Sequence, residues 1–127
     1  MSRRKKNNTP PVECIAFLAV HCPLQQVEWR EKNQEKVIRE YAKAHNIKIV
    51  GIARTHGFGQ RDVNATFERV LSLLNRDKVQ GVIVTGMDVL SDDLVYQYMC
   101  VGEVHKAGGL IYSVKDDSML KLSIREV

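Results

Sequence analysis

Seven consecutive residues, Cys14-Ile15-Ala16-Phe17-Leu18-Ala19-Val20, carry no charge, with Glu13 before them and His21, Cys22 and Pro23 after. A short apolar run bounded in this way reads as a strand buried on both faces, which is the central position of a parallel sheet. Sites in such sheets lie just beyond the carboxyl ends of the strands. His21 stands at that edge, so chemistry is to be sought there first.

The remaining chain supplies the elements such a strand needs around it. Gln25 to His45 contains no Gly or Pro and is rich in Glu, Lys, Arg and Gln, a helix composition, with Val37, Ile38, Tyr41, Ala42 and His45 as its apolar stripe. Asn46 is placed to cap it before a second strand, Ile47 to Ala53. A mobile loop is expected from Arg54 to Gln60, which contains Gly57 and Gly59. Helix signals resume at Asp62 and run to Asn75, with Val63, Phe67, Val70, Leu71 and Leu74 on one face.

A third strand is expected at Val82 to Thr85. Ser91 or Asp92 then caps a helix reaching Lys106, with Leu94, Val95, Tyr98, Val101 and His105 turned inward. Gly108-Gly109 stops that helix, Leu110 to Val114 is a fourth strand, and the alternating tail Met119 to Val127 is a short fifth. Strands alternating with helices give an α/β, three-layer, flavodoxin-like domain with a mainly parallel sheet of four or five strands.

At 127 residues this is one domain, residues 12–127, preceded by a basic arm, residues 1–11, that ends in Thr9-Pro10-Pro11. The net charge of +4 is located in that arm: removing Arg3, Arg4, Lys5 and Lys6 from the nineteen basic residues leaves fifteen against fifteen acidic ones. A folded nucleic-acid binder concentrates cations on one face. Here weak phosphate contact falls to the arm, whose ordinary role is that of a solubilising tail. No apolar run approaches the length of a membrane span and the N-terminus lacks a signal-peptide core, so the expected compartment is the cytoplasm. Cys14, Cys22 and Cys100 form no CxxC pair and are expected as reduced thiols.

Nucleotide cofactors are not expected, because no Walker A or GxGxxG loop follows a strand. Nor is a metal: Asp88, Asp92 and Asp93 gather at one strand end, but capping and the helix dipole account for the last two. The four histidines make no metal-binding set. Neighbours on an extended strand point to opposite faces, which argues against His21 and Cys22 acting as a pair.

Four stretches carry a family likeness. AFLAVH stands where an aromatic-x-Arg-Val-Ser strand end is found, NQEKVIREYAKAHNIKIVGIA resembles a glutamine-anchored helix leading into a strand, GFGQRDVNATFERVLSLL resembles a mobile loop, Arg-Pro turn and helix, and VQGVIVTGMDVLSDDL resembles a strand followed by Asp-Arg-Leu-x-Arg. Together they resemble the catalytic domain of serine recombinases, the resolvase/invertase family, over about residues 13 to 115.

The resemblance implies a serine that attacks a DNA phosphodiester while arginines stabilise the phosphoryl oxygens. Phosphoryl transfer is mostly positioning and electrostatics. Carried onto this sequence, the nucleophile position is His21 and the arginine two residues before it is Ala19. The Arg-Pro turn arginine is Asn64, the two arginines of the last motif are Val89 and Asp92, and its aspartate is kept as Asp88. The implied scaffold is present and the implied chemistry is degenerate, with Arg54, Arg61 and His56 as the cations left to compensate.

The expected function is therefore an inactive resolvase-like module, accessory to DNA recombination or a mobile element, whose partner is a competent recombinase or another protein. The family's long dimer helix and DNA-binding domain do not fit into Asp116 to Val127, so stable dimerisation of the usual kind is not expected. The rival expectation is an active enzyme on a small phosphorylated ligand, using His21 with Cys22, Asp88 or the loop from Arg54 to Arg61.

Overall fold

A computed structural model of the chain describes residues 9–20, 24–55 and 59–116. The order is β1 (Val12–Ala19), α1 (Leu24–Ala44), β2 (Ile47–Thr55), α2 (Gln60–Asn75), β3 (Gly81–Val84), a 3₁₀ turn (Met87–Val89), α3 (Leu94–Lys106) and β4 (Leu110–Ser113). The sheet order is β2-β1-β3-β4 and every pairing is parallel. The uncharged run is thus an inner strand, and Cys14 to Ala19 are buried without a break.

Burial on both faces follows from the alternation of the strands. Ile15, Phe17 and Ala19 of β1, with Val82 and Val84 of β3, pack on Val63, Phe67 and Val70 of α2 and on Cys100 and Val104 of α3. Phe17 meets Phe67 edge to face, with ring centroids 6.0 Å apart. On the opposite face Cys14, Ala16, Leu18 and Ile83 pack on Ile38 and Ala42 of α1. Three layers result, and the flavodoxin-like α/β reading of the sequence holds.

Several local expectations change. β2 continues through Arg54 and Thr55, which pair with Leu18 and Ala19, instead of loosening at Arg54. Helix α2 starts at Gln60, two residues earlier than its apolar stripe suggested. Asn46 does close α1 in the left-handed region, φ 57°. His45 is not part of the buried stripe; it lies on the surface, stacked on Tyr41 with ring centroids 3.9 Å apart.

The largest change is the face of α3. Leu94, Val95 and Tyr98 are exposed and so is His105, whereas Cys100 and Val104 are buried and Tyr96 and Val101 half-buried. Apolar residues nearly all round this helix hide its inward face from a periodicity reading. The cap is also displaced by one residue: the Asp93 side chain accepts from Val95 N–H at 3.1 Å, and Asp92 is exposed. The proposed fifth strand lies outside the described residues.

Candidate functional site at the carboxyl edge of the sheet

The ends of the four parallel strands and the starts of the three helices share one edge of the sheet. The end of β1 is fixed from α1. β3 pairs with β1 only over Cys14 to Ala16, so further along another partner is needed. Gln34 supplies it: its Oε1 accepts from Ala19 N–H at 3.1 Å and its Nε2 donates to Ala19 C=O at 2.8 Å. Ala19 itself is 3% exposed, with its methyl in the core formed with α2 and α3.

Beside it, the end of β2 is tied to α1 by charge. Arg54 Nε lies 3.3 Å from Glu31 Oε1, and Arg54 Nη2 lies 3.8 Å from Glu35 Oε1. Arg54, expected in a loop as a phosphate contact, is thus committed to two carboxylates. Glu31 Oε2 and Thr55 Oγ1 are buried with no hydrogen-bond partner among the described residues. Such atoms are costly, which makes the Arg54 contact to Glu31 important for keeping that carboxylate in place.

The starts of α2 and α3 are joined through Asn64. Its Oδ1 accepts from Gln60 Nε2 at 2.8 Å and from the Tyr96 hydroxyl at 2.9 Å. Gln60 also donates to Leu90 C=O. Burial first, then the negative character around Cys100 and Glu68, pushes the Tyr96 hydroxyl up from its ordinary value, so it remains a proton donor to Asn64. Val89 packs on the core cluster, and Asp92 is exposed.

A second polar cluster joins the ends of β3 and β4. Lys115 Nζ is 2.9 Å from Asp88 Oδ2, both on the surface. The hydrogen bond to Asp88, followed by the charges of Asp88 and Asp116, raises the Lys115 ammonium above its ordinary range. Asp116 Oδ2 accepts from Met87 N–H and from the Ser113 hydroxyl, each at 2.8 Å. Gly86 lies under the pair: an added Cβ would come within 2.7 Å of both Asp88 Oδ1 and Lys115 Cε.

The structure brings Asp88 to Lys115 and Asn64 to Gln60 and Tyr96, and it separates Arg54 from both groups by turning it to α1. Arg61 is exposed in the first turn of α2. His21, Cys22 and His56 lie outside the described residues, as do Arg3, Arg4, Lys5 and Lys6. Among the described residues no cluster of three or more His, Cys, Asp or Glu side chains is placed to hold a metal ion. No described helix is long and apolar enough to cross a membrane. Among the described residues, an open depression of about 470 Å³ runs along α1, and hollows of about 270 and 330 Å³ lie between α2 and α3 and between β2 and α2.

Sequence reasoning missed Gln34, Lys115 and Asp116 as individual residues. Lys115-Asp116 directly after an apolar strand was the available signal for the last two. Gln34 lies in the stretch read as a glutamine-anchored helix, but its partner Ala19, fifteen residues away, was not legible there.

The family model described as "Resolvase, N terminal domain" matches residues 26–124. Among solved structures, the N-terminal catalytic domain of TP901-1 integrase is similar at TM-score 0.67 and 16% identity, over 83% of this chain and 78% of that one. A resolvase family site-specific recombinase from Streptococcus pneumoniae is similar at TM-score 0.67 and 17% identity, over 84% of this chain and 74% of that one. The C-terminal catalytic domain of ISC1926 TnpA, an IS607-like serine recombinase, gives TM-score 0.67 and 17% identity, over 81% of this chain and 69% of that one. No curated protein matches. At these identities the structures establish the fold, while the family match covers more than three quarters of the sequence. The chain belongs to the resolvase N-terminal domain family, a membership that implies a role in DNA recombination.

Proposed function

We propose that this domain is a catalytically silent member of its family that serves recombination as an accessory or binding module, paired with a competent recombinase. The observation that carries this reading is the state of Asn64. At the place of a charge-stabilising arginine stands a neutral amide, and its oxygen is already engaged by Gln60 and Tyr96. Ala19 is a buried methyl, Val89 packs on the core, and Asp92 would repel a phosphate. Removing one such donor typically slows a reaction by about 100-fold to 1000-fold. Arg54 is held by Glu31 and Glu35, and Lys115 is neutralised by Asp88, so neither offers a free charge. The family match begins at residue 26, beyond His21, the nucleophile position.

The module's contact with DNA then falls to Arg3, Arg4, Lys5 and Lys6, since the body balances its charges. Supercoiled plasmid incubated with the intact protein should yield neither nicks nor a covalent protein–DNA band. A band that disappears in His21→Ala would overturn the proposal and favour an active His21.

A further inference from the structure

The charges of the folded body balance in number and not in place. At the edge where the strands begin and the helices end, Lys43, Lys48, Arg76, Lys78 and Lys106 are exposed beside the carboxylates of Glu13, Asp77 and Glu103. At the opposite edge the proportion is reversed. Asp62, Asp88, Asp92, Asp93 and Asp116 stand there with Arg54, Arg61 and Lys115, and Arg54 and Lys115 are already ion-paired. Among the described residues, Lys106 is the one amino-edge cation with an ion-pair partner, Glu103 at 3.8 Å. Glu13 stands opposite Lys48 in the β1–β2 register and offsets part of its charge.

The amino edge is held as one surface. Val12 N–H donates to Asn46 C=O at 3.2 Å, Gln80 N–H to Glu13 C=O at 2.8 Å and Leu110 N–H to Gln80 C=O at 3.0 Å, so the turns beside these cations are fixed against the start of β1. The Asn46 amide also donates to Thr9 C=O at 3.3 Å, which brings the basic arm away from the fold at the same edge. Arg3, Arg4, Lys5 and Lys6 are therefore tethered within about 20 Å of that fixed point. The carboxyl ends of all three helices point the same way, and Lys43, Arg76 and Lys106 offset their partial negative charge. Lys48 and Lys78 lie outside the helices, and with the four arm cations they leave the edge positive.

We infer that the amino edge of the sheet, together with the arm, is a binding surface for the phosphate backbone of duplex DNA, on the side of the domain opposite Asn64 and Asp88. The inference rests on the proposed reading in which the arm touches DNA, and it adds the folded edge to that contact. A family membership that implies a role in DNA recombination makes DNA the polyanion. Four strand starts about 4.8 Å apart span about 15 Å, enough to meet phosphates on both sides of a groove about 12 Å wide. Contacts of this kind position the protein and carry no sequence preference.

Fluorescence anisotropy of the full chain with a labelled duplex of arbitrary sequence, across a salt series, tests it. Lys48→Gln and Lys78→Gln together should weaken binding by about 10-fold or more and lower the salt slope by about 2. Lys32→Gln with Lys36→Gln, the same charge change at exposed positions of α1, should leave the slope as it is. Replacing Arg3, Arg4, Lys5 and Lys6 by Ser measures the arm separately. A loss there, with no effect of the Lys48 and Lys78 changes, overturns the folded edge and leaves the arm's contact standing. An equal loss from the α1 changes means diffuse attraction, and binding abolished by Arg61→Gln alone moves the DNA to the opposite edge; either result overturns the inference. A full chain that binds anionic vesicles but not the duplex, or neither, overturns both the inference and the arm's contact with DNA.

Discussion

Gln34 completes the hydrogen bonding of Ala19, receiving its N–H and donating to its C=O from a helix on the α1 face of the sheet. The side-chain amide thereby acts as a short piece of β-strand where β3 has already left β1. It fixes the last residue of β1, two positions before His21.

Gln34→Ala should therefore destabilise the protein by about 2 kcal/mol, because it leaves two backbone groups at a buried position without partners. Thermal unfolding should show a loss of about 8 °C for a domain of this size. Gln34→Glu keeps the acceptor and loses the donor, and should fall between wild type and Gln34→Ala.

Two glycines should respond to alanine with opposite signs. At Gly81 a Cβ would stand 2.7 Å from the Leu110 carbonyl oxygen and 3.1 Å from Cys14 Sγ, and a paired backbone carbonyl has no room to move. Gly81→Ala should cost about 1–3 kcal/mol. Gly102 is a helix interior position with nothing near the new methyl, so Gly102→Ala should stabilise by about 1 kcal/mol. Urea unfolding measures both.

The elements legible in the sequence were those whose signal is local. Cys14 to Val20 announces a strand buried on both faces and the stripe Val63, Phe67, Val70, Leu71, Leu74 a helix with one buried side, and the packing agrees over Cys14 to Ala19 and along α2. Helix α3 was legible as a helix but not in its orientation. Leu94, Val95 and Tyr98 are as apolar as Tyr96, Cys100 and Val104, and only the shape of α2 and the sheet selects between them. The carboxyl edge was legible as a place, with Asp88 at it. Its clamps were not, since Lys115 meets Asp88 across twenty-seven residues of sequence and Met87 meets Asp116 across twenty-nine.

Stability should fall steeply in alkali. Burial pushes the Cys14 thiol from its ordinary value of 9.0 up to about 12. Cys100 rises to about 11, from burial first and then the nearby Glu103 charge. The unfolded chain releases these protons near pH 9 while the folded one keeps them. The stabilisation is thus complete below pH 9 and lost as pH rises through 11 and 12. The slope reaches about 1.4 kcal/mol per pH unit for each thiol. Burial raises Tyr96 and Tyr112 as well, adding to the same trend. Melting temperatures between pH 8 and 11 should decline along this curve, and Cys14→Ala should make the decline shallower.

On the proposed reading, in which His21 stands at the nucleophile position, restoring a hydroxyl there should not restore cleavage. In His21→Ser the new side chain would lack the cations at Ala19, Asn64, Val89 and Asp92, and each missing donor is worth about 100-fold to 1000-fold in rate. Covalent serine–DNA adducts should therefore remain undetectable by gel shift under denaturing conditions. Nor is the charge simply replaced. Ala19 is 3% exposed among Phe17, Val63 and their neighbours, so Ala19→Arg would bury a guanidinium or force apart the core under α2. That variant should lose more than about 3 kcal/mol of stability. Asn64→Arg should fare better, because Asn64 is only half-buried, but it strands the Tyr96 hydroxyl, a loss of about 1 kcal/mol. An adduct formed by His21→Ser alone would mean that cations outside the described residues serve the reaction.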